Sequence, residues 1–209
     1  MTESQSRFDD ITNSALEQFR EKHATRERAI QASREVIRTS ANAIRAIHRN
    51  ELEKAKEQVG QAGAVVAETM ALLVDHPDLY FTGYTQDAQK EYAEARCVYS
   101  FIGGEDVPTA EDIGVETASF LNGLAEAASE LRRYILDSLR RDDDSRSEEL
   151  MQLMDDVYNV LVVMDFPDAL TGGLRRTTDQ LRAVLERTRG DLTMTTRQRR
   201  LERMLAERD

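Results

Sequence analysis

Apolar residues recur every three or four positions along most of the chain, and no segment shows the sustained alternation of period two that marks a strand. The three prolines, at positions 77, 108 and 167, each stand where such a helical period stops. The pattern predicts an all-α fold of about seven amphipathic helices around one core. At 209 residues, the chain 1–209 has the size of a single domain.

The predicted helices follow one another with short connections. The first period covers residues 8–47, as one helix or as two with a break near 22–25. Further helices are expected at about 51–74, 86–102, 109–140, 147–164 and 174–189. Thr109 is the expected cap of the fourth of these six elements, with Glu111 and Asp112 near the positive end of its dipole. After Gly190 the chain is basic and weakly periodic, which predicts a C-terminal tail from about residue 191.

Charge and composition limit the classes of function. The formal net charge is -11, so nonspecific coating of DNA is excluded and a nucleic-acid site must be local. Arginine outnumbers lysine 24 to 4 beside 39 acidic residues, which indicates a salt-adapted (halophile) surface or a GC-rich genome. The single Cys97, the polar N-terminus and the lack of a long apolar run predict a cytoplasmic protein without a membrane span.

Two glutamates stand out on the predicted helix at 86–102. Glu91 and Glu94 are spaced i, i+3, and a helical projection puts Glu91 inside the apolar stripe and Glu94 at its edge. A buried carboxylate is unfavourable without compensation. The pattern therefore indicates either a divalent metal site or an inter-helical salt bridge with arginine.

A second pair, Glu126 and Glu130, is spaced i, i+4 on the next long helix, opposite its leucine stripe. This pair alone is typical of a solvated face. The small residues Ser119, Gly123 and Ala127 flank it, however, and would let another helix approach closely. The alternative is a second, polar contact face.

Two arginine stripes interrupt the acidic background, and each is interpreted either as a solvated face or as a row of phosphate contacts for a single strand. The first lies on the first helix, opposite Ile30, Ile37 and Ile44, and the second lies on the helix at 174–189. Their members are Arg34, Arg38, Arg45 and Arg49, and Arg175, Arg182 and Arg189. The three histidines fit no di-iron pattern, and His48 at a helix end is interpreted as a surface group.

Four segments in order resemble the translin and Trax family, especially its archaeal members. They are REKHATRERAIQASREVIR, QKEYAEA, FLNGLAEAASELRRYILDSLR and MDDVYNVLVVMDFPDALTGGLRRTTDQLR. The resemblance implies a seven-helix α-α superhelical subunit. It further implies closed, barrel-like homo-oligomers, commonly octamers, that hold nucleic acid inside.

The same resemblance implies a function for the acids. Trax-like subunits are Mg²⁺-dependent endoribonucleases whose catalytic acids form an E-x-x-E and an acid followed four positions later by Glu. Here Glu91, Glu94, Glu126 and Glu130 hold these positions, as metal ligands for Mg²⁺ or Mn²⁺ and as catalytic residues acting on single-stranded RNA. The Trax-like pattern has Asp at Glu126, which leaves the geometry there open.

Two alternatives compete with this hypothesis. A translin-like protein would bind single-stranded RNA or DNA without catalysis, and its glutamates would be structural. An all-α nucleoside triphosphate pyrophosphatase also has E-x-x-E on a helix, but pairs it with E-x-x-D 12 to 28 residues later. Here the second pair is i, i+4 and starts 32 residues after Glu94.

Overall fold

The structure, a computed structural model, describes residues 3–206 and contains within them helices and connecting turns but no strand. The all-α prediction is therefore confirmed. Six helices are long and two have four residues each. Their bounds are α1 Glu3–His48, α2 Leu52–Leu73, α3 Pro77–Tyr80, α4 Tyr84–Gly103, α5 Thr117–Leu139, α6 Ser147–Val162, α7 Asp168–Thr171 and α8 Leu174–Ala206. None of the described helices is long and apolar enough to cross a membrane.

Helix α1 is unbroken over 46 residues, because the segment contains neither glycine nor proline. Its buried face is one of small residues such as Ser33, Val36 and Ala43. The three isoleucines do not form that face: Ile37 is exposed, and Ile30 and Ile44 are only partly buried. Small side chains let α1 pack closely against both α2 and α4, so the core face is one position away from the expected stripe.

Helix α5 begins at Thr117, eight residues after the predicted start. Thr109 and Asp112 do form the hydrogen bonds of a helix cap, but these bonds stabilise an isolated turn and not the start of α5. The backbone N–H and the hydroxyl of Thr109 both donate to Asp112 Oδ2 at 2.8 Å, and Asp112 N–H donates back to Thr109 Oγ1 at 3.2 Å. Gly114, at φ +64°, ends this turn before the helix can propagate.

Helix α8 continues through Gly190 to Ala206. The C-terminal tail predicted from about residue 191 is therefore a helical extension of α8 as far as residue 206. Leu192 is its last buried residue. Farther along, Arg199 pairs with Asp144 at 2.6 Å and Asp142 at 3.4 Å in the turn after α5. This contact ties the basic extension to the body of the protein.

Helix α4 lies at the centre of the fold. It packs against α1 and α2 on one side and against α5 on the other, while α6 and α8 pack on the far side of α5. Thirteen of the 20 residues of α4 are consequently buried. Several polar residues of α4, among them Gln89, Glu94 and Ser100, are therefore buried between helices.

Candidate metal centre

Helices α4 and α5 run in the same direction along a close seam. Gly123 makes this approach possible, since a Cβ there would lie 2.6 Å from the carbonyl oxygen of Lys90 and 2.9 Å from Ala93 Cβ. One turn earlier, the Ser119 hydroxyl donates to the carbonyl of Gln86 at 3.0 Å. The small residues of α5 thus line a helix contact, and the alternative of a polar contact face is confirmed.

Three carboxylates from the two helices meet at this seam. Glu91, Glu94 and Glu126 each offer an oxygen, and these oxygens lie within 4.8 Å of one another. The Lys90 ammonium is 2.9 and 3.0 Å from the two oxygens of Glu126 and 3.4 Å from Glu91 Oε1. The inter-helical salt bridge expected with arginine is therefore made by lysine.

Glu94 is the buried member of the cluster. It is 9% exposed, whereas the side chain of Glu91 is 28% exposed, the reverse of the order that the helical projection predicts. Burial, followed by the charges of Glu126, Glu91 and Glu130, raises the pKa of Glu94 to about 8. Without a cation, the Glu94 carboxyl is mostly protonated at neutral pH.

Glu130 has a different partner. Its Oε2 lies 2.7 Å from His48 Nε2, and the His48 side chain is only 4% exposed. This hydrogen bond holds the pKa of Glu130 below its usual value. The interpretation of His48 as a surface group is wrong, because the C-terminal end of α1 docks against α5 and buries the imidazole.

The donor set suits Mg²⁺ or Mn²⁺, which take hard oxygen ligands. Glu91, Glu94 and Glu126 would hold the ion, and Glu130 borders them closely enough for its charge to affect the pKa of Glu94. The Lys90 ammonium lies beside Glu91 and Glu126, so its positive charge offsets part of the repulsion between the carboxylates. A divalent ion would compete with Lys90 for Glu126.

The arginine stripes differ in their surroundings. All four members on α1 are exposed, and Arg45 donates to Asn42 Oδ1 at 2.6 Å. Arg189 is tied to Asp155 by two hydrogen bonds of 2.7 Å. The other two α8 members line a cleft of about 830 Å³ between α6 and α8, together with three aspartates. These cleft residues are Arg175, Arg182, Asp165, Asp168 and Asp179.

The sequence did not predict that Lys90 and His48 are part of the site. Lys90 carried a signal, because it stands next to Glu91 and four positions before Glu94 on the same helix. His48 carried none, since its partner Glu130 is 82 residues away in the chain.

No family model matches this chain. An uncharacterized protein of Methanocaldococcus jannaschii is 28% identical over 185 residues, which are 88% of this chain and 82% of that protein. The crystal structure of AfC3PO has a TM-score of 0.83 and 33% identity, and covers 90% of this chain and 98% of its own. Its complex with duplex RNA has a TM-score of 0.83 and 32% identity, covering 90% and 97%. Apo-NeC3PO, with 18% identity and a TM-score of 0.80 over 88% of this chain and 96% of its own, is similar in fold alone.

Proposed function

Because this chain belongs to the translin and Trax family, as the archaeal C3PO proteins do, we propose that it is a Trax-like, metal-dependent endoribonuclease acting as a barrel-like homo-oligomer. RNA binding by this chain is part of the proposal and is supported by the AfC3PO complex with duplex RNA. The observation that carries the catalytic part is the meeting of three carboxylates from α4 and α5 within 4.8 Å.

The residues of the cluster have distinct tasks in this proposal. Glu91, Glu94 and Glu126 would hold the ion, and positive charge beside Glu94 would favour the charged form of its carboxyl group. Lys90 turns away from Glu126 toward the phosphate of the substrate. His48 orients the Glu130 carboxylate beside the ligands. A bound Mg²⁺ or Mn²⁺ would supply charge stabilisation at the scissile phosphate and a more acidic water.

Attraction of the RNA strand falls to local positive charge, since the whole chain carries -11. The α1 arginines Arg34, Arg38, Arg45 and Arg49 are the best candidates, because they are exposed and form no ion pair with a carboxylate among the described residues. Arg175 and Arg182 are weaker candidates and Arg189 the weakest, because aspartates surround or bind them. Single-stranded RNA is the proposed substrate, and duplex RNA is the necessary comparison.

The second candidate function is translin-like binding of single-stranded RNA or DNA without catalysis. The contact between Lys90 and Glu126 favours it, since a cluster already bridged by an ammonium group is satisfied as a structural salt bridge. Metal dependence of cleavage separates the two candidates.

The deciding experiment incubates the purified protein with labelled single-stranded and duplex RNA, with EDTA, Mg²⁺ or Mn²⁺. We expect cleavage only with metal. Glu91→Gln, Glu94→Gln and Glu126→Gln should each lower the rate about 100-fold or more, because the amide keeps the size but removes the charge that holds the cation. Glu130→Gln should lower it as well, because it removes the negative charge that His48 holds beside these ligands. RNA affinity in EDTA should stay unchanged.

Glu68→Gln is the matched control. Glu68 is exposed on α2, so this variant should cleave RNA at the parental rate. Glu126→Asp restores the Trax-like residue and should retain or increase activity. Cleavage at the parental rate by all four glutamine variants would contradict the proposed metal site and leave nucleic-acid binding without catalysis as the function.

A further inference from the structure

A groove continues the α4–α5 seam, one helical turn before the carboxylate cluster. Its volume is about 290 Å³, and Lys90, which also contacts Glu126, forms part of its wall. The other walls come from the first turns of both helices, from α7 and from the loop that carries Phe81. Asn122 in this groove precedes Glu126 by four residues, which is about 6 Å along a helix.

Phe81 presents an aromatic ring to the groove. The residue is 69% exposed, and its ring lies 4.8 Å from that of Tyr80 at an angle of 87°. A single exposed apolar residue is ordinary in itself. Phe81 differs because its N–H donates to the carbonyl of Pro77 at 3.1 Å and because the preceding residue, Tyr80, is bonded by side chains of α4.

The hydrogen bonds that hold the loop come mainly from two glutamines of α4. Gln86 donates to the carbonyl of Tyr80 at 3.0 Å and accepts from Gly83 N–H at 3.2 Å. Gln89, 1% exposed, donates to the Tyr80 hydroxyl at 3.0 Å, which in turn donates to Glu116 at 2.9 Å. These bonds hold Tyr80 and the loop that carries Phe81 in place.

The opposite wall is equally fixed. The Asn122 amide donates to the carbonyl of Thr171 at 2.8 Å and accepts from the Thr177 hydroxyl at 2.7 Å. These bonds join α5 to the last residue of α7 and to the first turn of α8. A preformed groove loses little conformational freedom on binding.

We propose that this groove is a nucleobase site, in which an unpaired base of the RNA stacks on Phe81 while the adjoining phosphate contacts Lys90. The inference rests on the function proposed above and adds a subsite to it. Asp87 and Glu116 line the groove, so a phosphate is repelled from the part that they line and the neutral base is the part of a nucleotide that fits there. Carboxylates also accept hydrogen bonds from the amino groups of bases.

A nucleobase site of this kind distinguishes single-stranded from duplex RNA. Bases in a duplex are stacked on their neighbours, so only an unpaired base can place its face on an aromatic side chain. Stacking on an aromatic ring tolerates every base, because each has a π face. The groove thus gives a preference for single strands without a strong sequence preference.

The test uses the full chain in EDTA with single-stranded RNA that carries 2-aminopurine at one position, so that binding is measured without cleavage. Stacking should quench the fluorophore. Phe81→Leu keeps apolar bulk but removes the π face. This variant should not quench 2-aminopurine, and its affinity for single-stranded RNA should fall about tenfold. Phe81→Tyr should retain both, and the affinity for duplex RNA should not change in either variant.

Val107→Ala is the control, since Val107 is 44% exposed and does not line the groove, so this variant should quench like the parent. Parental quenching by Phe81→Leu would overturn the nucleobase site while leaving RNA binding intact. Lost quenching together with a reduced mass in light scattering would also overturn it, by assigning Phe81 to a subunit contact. No binding of any RNA by the parent would overturn the proposed function as well.

Discussion

Glu94 is a carboxyl group at the seam of two helices with three other carboxylates nearby, and its pKa of about 8 follows from that position. Between its ordinary value of 4.5 and this value, the folded protein binds a proton that the unfolded chain has lost. Its contribution to stability is therefore present at low pH and is lost as the pH rises through about 8.

We expect the metal-free protein to lose free energy of unfolding, by an amount on the order of a few kcal/mol, between pH 5 and pH 9 relative to Glu94→Gln. The amide does not titrate, so the variant lacks this slope. Urea unfolding in EDTA at several pH values measures the difference. Parallel pH profiles for the two proteins would show that Glu94 is solvated and not buried at the seam.

At the scale of elements, the distance between α4 and α5 depends on the missing side chain at Gly123. A Cβ would lie 2.9 Å from Glu94 N as well as close to Lys90 and Ala93, and most of these contacts are with backbone or Cβ atoms that cannot rotate away. The helices must separate to accept it. The carboxylates on either side of the seam would then move apart.

Gly123→Ala should destabilise the protein by about 1–3 kcal/mol, because the steric conflict outweighs the higher helix propensity of alanine. It should also weaken Mn²⁺ binding, measured by calorimetry. Gly190→Ala is the matched control in α8: nothing lies within 4 Å of its Cβ position, so alanine should stabilise by about 0.5–1 kcal/mol. Equal effects of the two substitutions would contradict a close seam.

At the scale of the whole molecule, both ends of the described chain are helices with uncovered apolar residues. None of residues 5–28 of α1 is buried, and the apolar residues of α8 beyond Leu192 are exposed. The largest exposed ones are Phe8, Ile11, Leu16 and Phe19 on α1, and Met194, Leu201, Met204 and Leu205 on α8. Such faces are typical of surfaces that bind another subunit.

We expect light scattering to give a mass several times that of one chain, and expect Phe8→Ser with Phe19→Ser to reduce it, because burial of the α1 face drives assembly. Circular dichroism should show that the double variant keeps its helices. A monomer at both high and low salt in the parent protein would contradict the proposed oligomer.

Much of the architecture was determined by the sequence itself. The period of the apolar residues predicted the helices at about 51–74, 86–102 and 147–164 to within a few residues, because period depends on local geometry alone. The spacing of Glu91 with Glu94 and of Glu126 with Glu130 identified the two carboxylate pairs for the same reason. Resemblance supplied their proposed chemistry.

Tertiary structure alone decided the electrostatics of the site. A helical projection orders side chains around one axis, but it does not say how many neighbours pack on that helix; α4 has three, so Glu94 and not Glu91 is buried. The contacts of His48 with Glu130 and of Lys90 with Glu126 join residues 82 and 36 positions apart in the chain, so they depend on the register between helices. Close packing at Gly123 sets the register of α4 and α5, and no periodicity within a single helix encodes it.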